Sequence, residues 1–363
     1  MRKTLILIAL AACGSCKNGG GTAQTNEIVI GEYGSLTGSE ATFGQSTHNG
    51  LSMAVEEINA AGGIKGKKIK LVNYDDQGKT SEVGTAVTRL ITEDKSLAVI
   101  GEVASSLSIA GGQIAQQHQV PMISPSSTNP RVTAIGDMVF RVCFIDPFQG
   151  YVMARFAKEN LKAGKVAVLY DQSQAYSTGL KDDFVKAFRE MGGQVPTTQA
   201  YSKGDQDFNA QLTTIRGTSP DAIFIPGYYT DAANIAIQSR KLRITIPLLG
   251  GDGWDSAQLA AIGGKAMLNT FYSNHYSHQD PKPAVQNFIA KYKERNGGAT
   301  PTVWRRSGTT PPRSSSRPWR RRRPWGARTW QRPSRPPRTS PASRARSPWT
   351  RSGTPASRRW SWR

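Results

Sequence analysis

Beyond Val303 the sequence contains no acidic residue, no lysine and not one Leu, Ile, Val, Phe or Tyr. A stretch so poor in apolar residues has no periodicity from which to build a helix or strand face, and disorder is the expectation for it. Residues 304–363 instead hold 18 Arg, 10 Pro and 7 of the chain's 8 Trp. The formal charge of +21 is therefore local: the first 303 residues carry 29 of the 47 bases against all 26 acids, a balance of +3 that gives no reason to expect a specific nucleic-acid partner. Cysteine is scarce too. Cys13, Cys16 and Cys143 set neither a disulfide framework nor a repeated metal spacing, and the partnerless Cys143 is expected to be a buried thiol. The four histidines, His48, His118, His275 and His278, form no metal-ligand pattern, and His275 and His278 read as solvated loop side chains. There is no Gly-x-Gly-x-x-Gly, no Walker-type phosphate loop and no Gly-x-Ser-x-Gly, so nothing marks a dinucleotide site, a triphosphate site or an activated serine. No catalytic residue, metal or cofactor is expected.

What is present begins at the N-terminus. Arg2 and Lys3 precede the apolar stretch Leu5 to Ala12, too short to cross a bilayer but suited to the centre of an export signal. It ends in Leu10-Ala11-Ala12-Cys13, similar to a bacterial lipobox, which makes Cys13 the expected lipidation site and the polar, glycine-rich residues 14–26 a tether. Lipid at Cys13 would anchor a soluble protein to the cell envelope without a membrane span.

From Glu27 onward short apolar strands alternate with segments of helical periodicity. Strands are expected at Glu27 to Tyr33, Lys68 to Tyr74, Leu97 to Gly101 and Pro121 to Ser124, with helices at Phe43 to Ala60, Ser81 to Glu93 and Leu107 to His118. A second series starts after Asp146-Pro147: helix Phe148 to Leu161, strand Lys165 to Tyr170, helix Tyr176 to Met191, strand Gln194 to Ala200, helix Asp207 to Arg216, strand Asp221 to Pro226, helix Asp231 to Leu242 and strand Pro247 to Gly250. A strand at Leu268 to Ser273 and a helix at Pro283 to Tyr292 follow. This alternation predicts an α/β protein of two lobes, each a parallel sheet sandwiched between helix layers. Ligands in such sheets sit beyond the carboxyl ends of the strands.

The loops at those ends are rich in Gly, Ser, Thr, Asp and Tyr. Ser105, with Ala104 and Ser106, stands between a strand and a helix start, where hydroxyls and free N–H groups can receive an anion such as a carboxylate, and Ser124 to Thr128, including Ser126 and Ser127, repeats the arrangement. The same residues also serve as plain helix caps. On the second lobe Asp252, in Gly250-Gly251-Asp252-Gly253-Trp254, can pair with a ligand ammonium or act as a turn aspartate, while Tyr176, Tyr228 and Trp254 can cover an apolar portion.

Several ordered segments carry a resemblance: Ile28-Val29-Ile30-Gly31, Ser35-Leu36-Thr37-Gly38, Ile58 through Lys67, Tyr74-Asp75-Asp76, Val99-Ile100-Gly101, Ile123-Ser124-Pro125, Phe140-Arg141, Tyr176 through Gly179, Asp205 to Phe208 and Gly250 to Gly253. Over residues 27–303 the chain resembles the periplasmic leucine/isoleucine/valine-binding proteins of ABC transporters, of the type I periplasmic binding fold. The resemblance implies capture of an amino acid by closure of two lobes and delivery to a membrane permease, by a monomer in the periplasm or cell envelope. A binder of an amide, urea or aromatic acid, or a ligand-sensing module, is the alternative. It further implies that Ser105, Ser126 or Ser127, and Thr128 hold the ligand carboxylate and share the ammonium, that Asp252 takes the ammonium, and that Tyr176 and Tyr228 close the cleft. Phe43 stands where branched-chain binders have Tyr, Asp252 where Glu is common, and Gly78 and Ala104 where some members have a disulfide. Residues 1–13 are then the signal peptide, 27–145 with 275–303 the first lobe and 146–274 the second, with hinge strands near Ile145–Phe148 and Asn274–Tyr276.

The composition break at Val303 has a genetic reading. Gly308 to Arg320 can be encoded so that the frame one base upstream spells GYDAAALLLAAMA, a helix-forming run, and Pro341 to Arg363 can be read back as PGVTGKVTLDAERNAREPAVVVE. A single-base frameshift near Val303 is the expectation, with a less stable protein and nonspecific adhesion of the Arg/Trp tail to polyanions as its consequences.

Overall fold

The computed structural model describes residues 27–275, 277 and 279–298. The expectations for Cys13, Cys16, His278, the tether and the C-terminal tail lie outside these residues, as does Tyr276 at the second hinge.

The first half alternates β1 (Glu27–Gly34), α1 (Ala41–Ala60), β2 (Lys68–Asp75), α2 (Thr80–Thr92), β3 (Ala98–Ile100), α3 (Ser105–Gln117), β4 (Met122–Ser124) and β5 (Val139–Arg141). The second runs α4 (Asp146–Arg155), β6 (Val166–Asp171), α5 (Ala175–Glu190), β7 (Thr198–Tyr201), α6 (Asn209–Gly217), β8 (Ala222–Phe224), α7 (Tyr229–Lys241), β9 (Leu248–Gly250), α8 (Ala257–Gly263), β10 (Thr270–Tyr272) and α9 (Pro283–Arg295). Two five-stranded sheets result, ordered β2-β1-β3-β4-β5 and β10-β9-β8-β6-β7, and every neighbouring pair is parallel. The two orders are the same topology: in each sheet the first strand pairs with the second on one side and the third on the other. That reversal opens a crevice at the carboxyl ends of β1 and β3, and again at β6 and β8.

Periodicity explains most of the elements. In α2, Val83, Ala86, Val87, Leu90 and Ile91 recur at helical spacing, and all are buried. In the first sheet the row Gly31, Val99, Met122, Val139 is in register across four strands and faces α2 and α3, where a Cβ on Gly31 would meet Leu90. The alternate row, Glu32, Ile100, Ile123 and Phe140, lies on the other face. There α1 covers Glu32 through a 2.7 Å contact from His48, while Phe140 at the far end is 47% exposed. In the second sheet the central strands β8 and β9 are wholly buried.

Two elements have no counterpart in the sequence expectations, and a third begins early. β5 is only three residues long, too short for a period to register. α8 buries only Leu259 and Gly263, and is set by the Ser256 hydroxyl accepting from Gln258 N at 3.1 Å. α4 begins two residues earlier than the apolar pattern, with Asp146 and Pro147 in its first turn, where a missing proline N–H does no harm. α4 packs on α5, with Gly150 so close that a Cβ would lie 2.7 Å from Phe184 N. α9 returns to α1, where Lys291 pairs with Glu57 at 2.7 Å and Asn49 donates to the Tyr292 hydroxyl at 3.4 Å. Among the described residues no helix is long and apolar enough to cross a membrane.

Candidate functional site

The crevices at the two reversal points face each other and enclose one cleft of about 640 Å³, its open mouth included. Its lining comes from strand ends of both sheets: Phe43, Ser46 and Thr47 from α1, Val103 after β3, Ser126 and Thr128 after β4, Tyr176 at the start of α5, Tyr228 after β8, Asp252, Gly253 and Asp255 after β9, and Asn274 and His275 after β10.

Backbone economy brings the second-lobe loop into reach. A Cβ on Gly250 would lie 2.3 Å from the Trp254 indole, and one on Gly251 would lie 2.3 Å from the Tyr176 hydroxyl. Only glycine lets Asp252 be carried this close to α5. Its carboxylate is then held on both oxygens: Tyr176 OH donates to Oδ1 at 2.8 Å, and His275 Nε2 lies 2.8 Å from Oδ2. The Tyr176 oxygen also accepts from Gly253 N at 3.1 Å. Tyr176 stacks on Tyr228 with ring centres 5.2 Å apart, and the edge of Tyr228 meets Phe43 at 6.0 Å. Burial pushes both tyrosine hydroxyls well above their ordinary range, so they stay protonated donors. One wall is thus acidic with aromatic flanks. Burial also pushes Asp255 up to about 7, beside that wall.

The facing wall is made of hydroxyls. Thr128 Oγ1 is buried beside the Asp146 carboxyl and makes no close hydrogen bond among the described residues, so a ligand group can still satisfy it. Ser126 stands beside it in the lining. Beneath lies a scaffold built on Glu102: its Oε1 accepts from Ser35 N and Oγ, both at 2.8 Å, its Oε2 accepts from Ala104 N, and its carbonyl accepts from Ser108, Ser124 and Ser127. Burial, reinforced by Asp76, pushes Glu102 up to about 7.

Of the residues singled out from the sequence, Phe43, Ser126, Thr128, Tyr176, Tyr228 and Asp252 meet at this cleft, whereas Ser105, Ser127 and Trp254 are outside its lining. Ser127 Oγ is engaged by the Glu102 and Val103 carbonyls and Ser108, and Ser105 Oγ accepts from Asn129 N at 3.3 Å. Trp254 is fully buried against Gly250 and donates to the Ile225 carbonyl at 3.1 Å. All three serve the walls from behind. His275, expected to be solvated, instead pairs with Asp252 and lines the cleft. Its partner lies 23 positions away, a spacing no local pattern encodes. Ser46 and Thr47 were within reach of periodicity, three and four residues after Phe43 on one helix face. Cys143 is half-buried, donates to the Ser127 carbonyl at 3.4 Å, and is pushed by burial up to about 11, which makes it an unreactive thiol.

The lobes touch across the cleft. Lys203 pairs with Glu40 at 2.8 Å, Thr230 donates to the Ser39 carbonyl at 2.8 Å, Thr42 and Ser256 share a 2.9 Å hydrogen bond, and Ala175 N donates to Ser106 Oγ at 2.9 Å. Twin parallel-sheet lobes, closed by such contacts over a polar cleft at their strand ends, define a two-lobed solute receptor. The chain belongs to the periplasmic binding protein family, whose model matches residues 27–308. An amino acid binding protein of Pseudomonas aeruginosa is 34% identical over 302 residues, 82% of this chain and 79% of that one. A Leu/Ile/Val-binding protein homologue of Brucella melitensis is 32% identical over 276 residues, 76% of this chain and 74% of the relative. Among solved structures, the leucine binding protein LivK of Thermotoga maritima is 41% identical with a TM-score of 0.72, covering 76% of this chain and 77% of its own. LivJ of Streptococcus pneumoniae, solved with isoleucine, is 32% identical with a TM-score of 0.71, covering 76% and 78%. Membership makes this a substrate-binding protein of the transport type, with the periplasm as its compartment.

Proposed function

We propose that the chain captures a small amino acid of the branched-chain kind and delivers it to an ABC permease. One observation carries the reading: a carboxylate held by two protein donors, Asp252, lines the same cleft as the hydroxyl residues Ser126 and Thr128, between aromatic and aliphatic walls. A zwitterion satisfies both walls at once, its ammonium on Asp252 and its carboxylate among Ser126, Thr128 and neighbouring N–H groups, with its side chain against Phe43, Val103 and Tyr228. A simple aromatic acid leaves Asp252 without a cation, and urea or an amide leaves the apolar wall unfilled. The leucine and isoleucine binders among the solved relatives support the same class.

Closure hides these polar contacts from water, which strengthens them and selects against solutes that leave one unpaired. The closed monomer then docks on the permease. Cys13 carries lipid in this reading, holding the receptor at the membrane surface. No bond-making step belongs to it. A thermal-shift screen with amino acids, amides and aromatic acids tests the proposal: stabilisation by aliphatic amino acids supports it. Response only to compounds lacking an ammonium refutes it.

A further inference from the structure

We propose that His275 is a positioning residue that ties the Asp252 carboxylate to the strands joining the lobes, so that capture of a ligand ammonium and lobe closure become one event. The inference rests on reading the cleft as an amino-acid site. The chain passes from the first sheet to the second between β5 and α4, where Phe144 lies, and leaves the second sheet after β10, where His275 lies. The two rings are stacked, with centres 4.3 Å apart and planes 20° apart, so one crossing rests on the other. From that stack His275 Nε2 reaches 2.8 Å to Asp252 Oδ2.

A second tether runs in parallel. Gln149 of α4 is buried, and its Oε1 accepts from both Asp252 N at 2.8 Å and Ser273 Oγ at 2.7 Å. The backbone and side chain of Asp252 are thus both wired to the crossings, while Tyr176 fixes the remaining oxygen. Rotation of the lobes about these strands shifts Phe144 against His275 and so reorients the carboxylate. An ammonium bound to Asp252 conversely favours the one hinge angle at which stack and pair coexist. A group already aimed at its ligand also loses less freedom on binding.

The test is a double-mutant cycle on the full chain, with L-leucine as probe, His275→Ala and His275→Gln in native and Asp252→Asn backgrounds, and affinities read by calorimetry or, where weak, by NMR titration at millimolar ligand. In the native background His275→Ala is expected to weaken L-leucine binding about tenfold or more, and His275→Gln, whose amide can still donate to Asp252, to recover part of the loss. In the Asp252→Asn background the same alanine change should alter affinity less than about twofold. Interlobe distance, read by fluorescence transfer between one dye on each lobe, should close less completely with saturating L-leucine in His275→Ala. Equal losses in both backgrounds overturn the role, because a purely structural histidine costs the same whether or not Asp252 can accept. Failure of the native chain to bind L-leucine or any other aliphatic amino acid overturns the amino-acid reading and this role with it.

Discussion

Lys203 Nζ lies 2.8 Å from Glu40 Oε2 across the mouth of the cleft and also donates to the Gly78 carbonyl at 3.1 Å, so one ammonium from the second lobe closes on two groups of the first. The Glu40 side chain is only 4% exposed. Removing the lysine leaves a buried carboxylate unpaired in the closed form, a penalty of about 3–5 kcal/mol in comparable pairs, whereas opening lets water solvate it. Lys203→Ala is therefore expected to weaken ligand affinity about tenfold or more through a shift toward the open form. An unchanged Kd by calorimetry would show that the pair contributes nothing to closure.

Ser126 and Ser127 are adjacent but do different work. Ser127 Oγ bridges the Glu102 and Val103 carbonyls and Ser108, all within the wall, whereas Ser126 lines the cleft. Ser127→Ala is expected to lower Tm by about 3–6 °C while altering L-leucine affinity less than about threefold. Ser126→Ala is expected to leave Tm within about 1 °C and to weaken binding about fivefold or more. The reverse pattern, by thermal melts and calorimetry on both variants, would exchange their roles.

That contrast also shows how much the sequence makes legible. Alternation of strands and helices locates both lobes because the period is written in consecutive residues, as in Val83 through Ile91 of α2. The strand-end rule points to the loops. It cannot tell which of two neighbouring serines faces inward, because that depends on the Glu102 carbonyl 25 residues before Ser127. Trp254 reads as a cleft aromatic for the same reason: only the fold shows Gly250 making room for its indole. His275 was hidden because its role requires a residue on another loop.

Asp146, at the first crossing, is completely buried, with the Thr128 hydroxyl against its carboxyl. Burial pushes it from an ordinary 3.8 up to about 8. Between about pH 4 and pH 8 the folded protein therefore holds a proton that the unfolded chain releases, and this carboxyl's contribution to stability, full at the acid end, is lost as pH rises. Asp146→Asn lacks this dependence. Relative to that variant, the native chain is expected to lose about 5 °C or more of Tm between about pH 5 and pH 8. Parallel pH profiles would contradict the assignment.

The row Ile100, Ile123 and Phe140 bears on the composition break at Val303. Phe140 is 47% exposed on the sheet face opposite α2 and α3, and Val142 just beyond it is 74% exposed. The shifted frame of residues 308–320 spells a helix-forming run rich in Ala and Leu, the chemistry such a face lacks. Restoring that frame by one base after Val303 is expected to raise Tm by about 5 °C or more, and to protect Phe140 from solvent in fluorescence quenching of a Phe140→Trp reporter. A gene sequence whose codons do not spell those segments would contradict the frameshift.

The most direct test of the central claim is a calorimetric titration of L-leucine, at matched pH and salt, into the native chain and into Asp252→Ala. The account predicts one site per chain in the native protein, at micromolar affinity or tighter, and a loss of about a hundredfold or more in the variant, where the ligand ammonium is buried without its acceptor. Equal heats and equal affinities in the two proteins would contradict it, because the cleft would then hold its ligand without the carboxylate that Tyr176 and His275 aim into it.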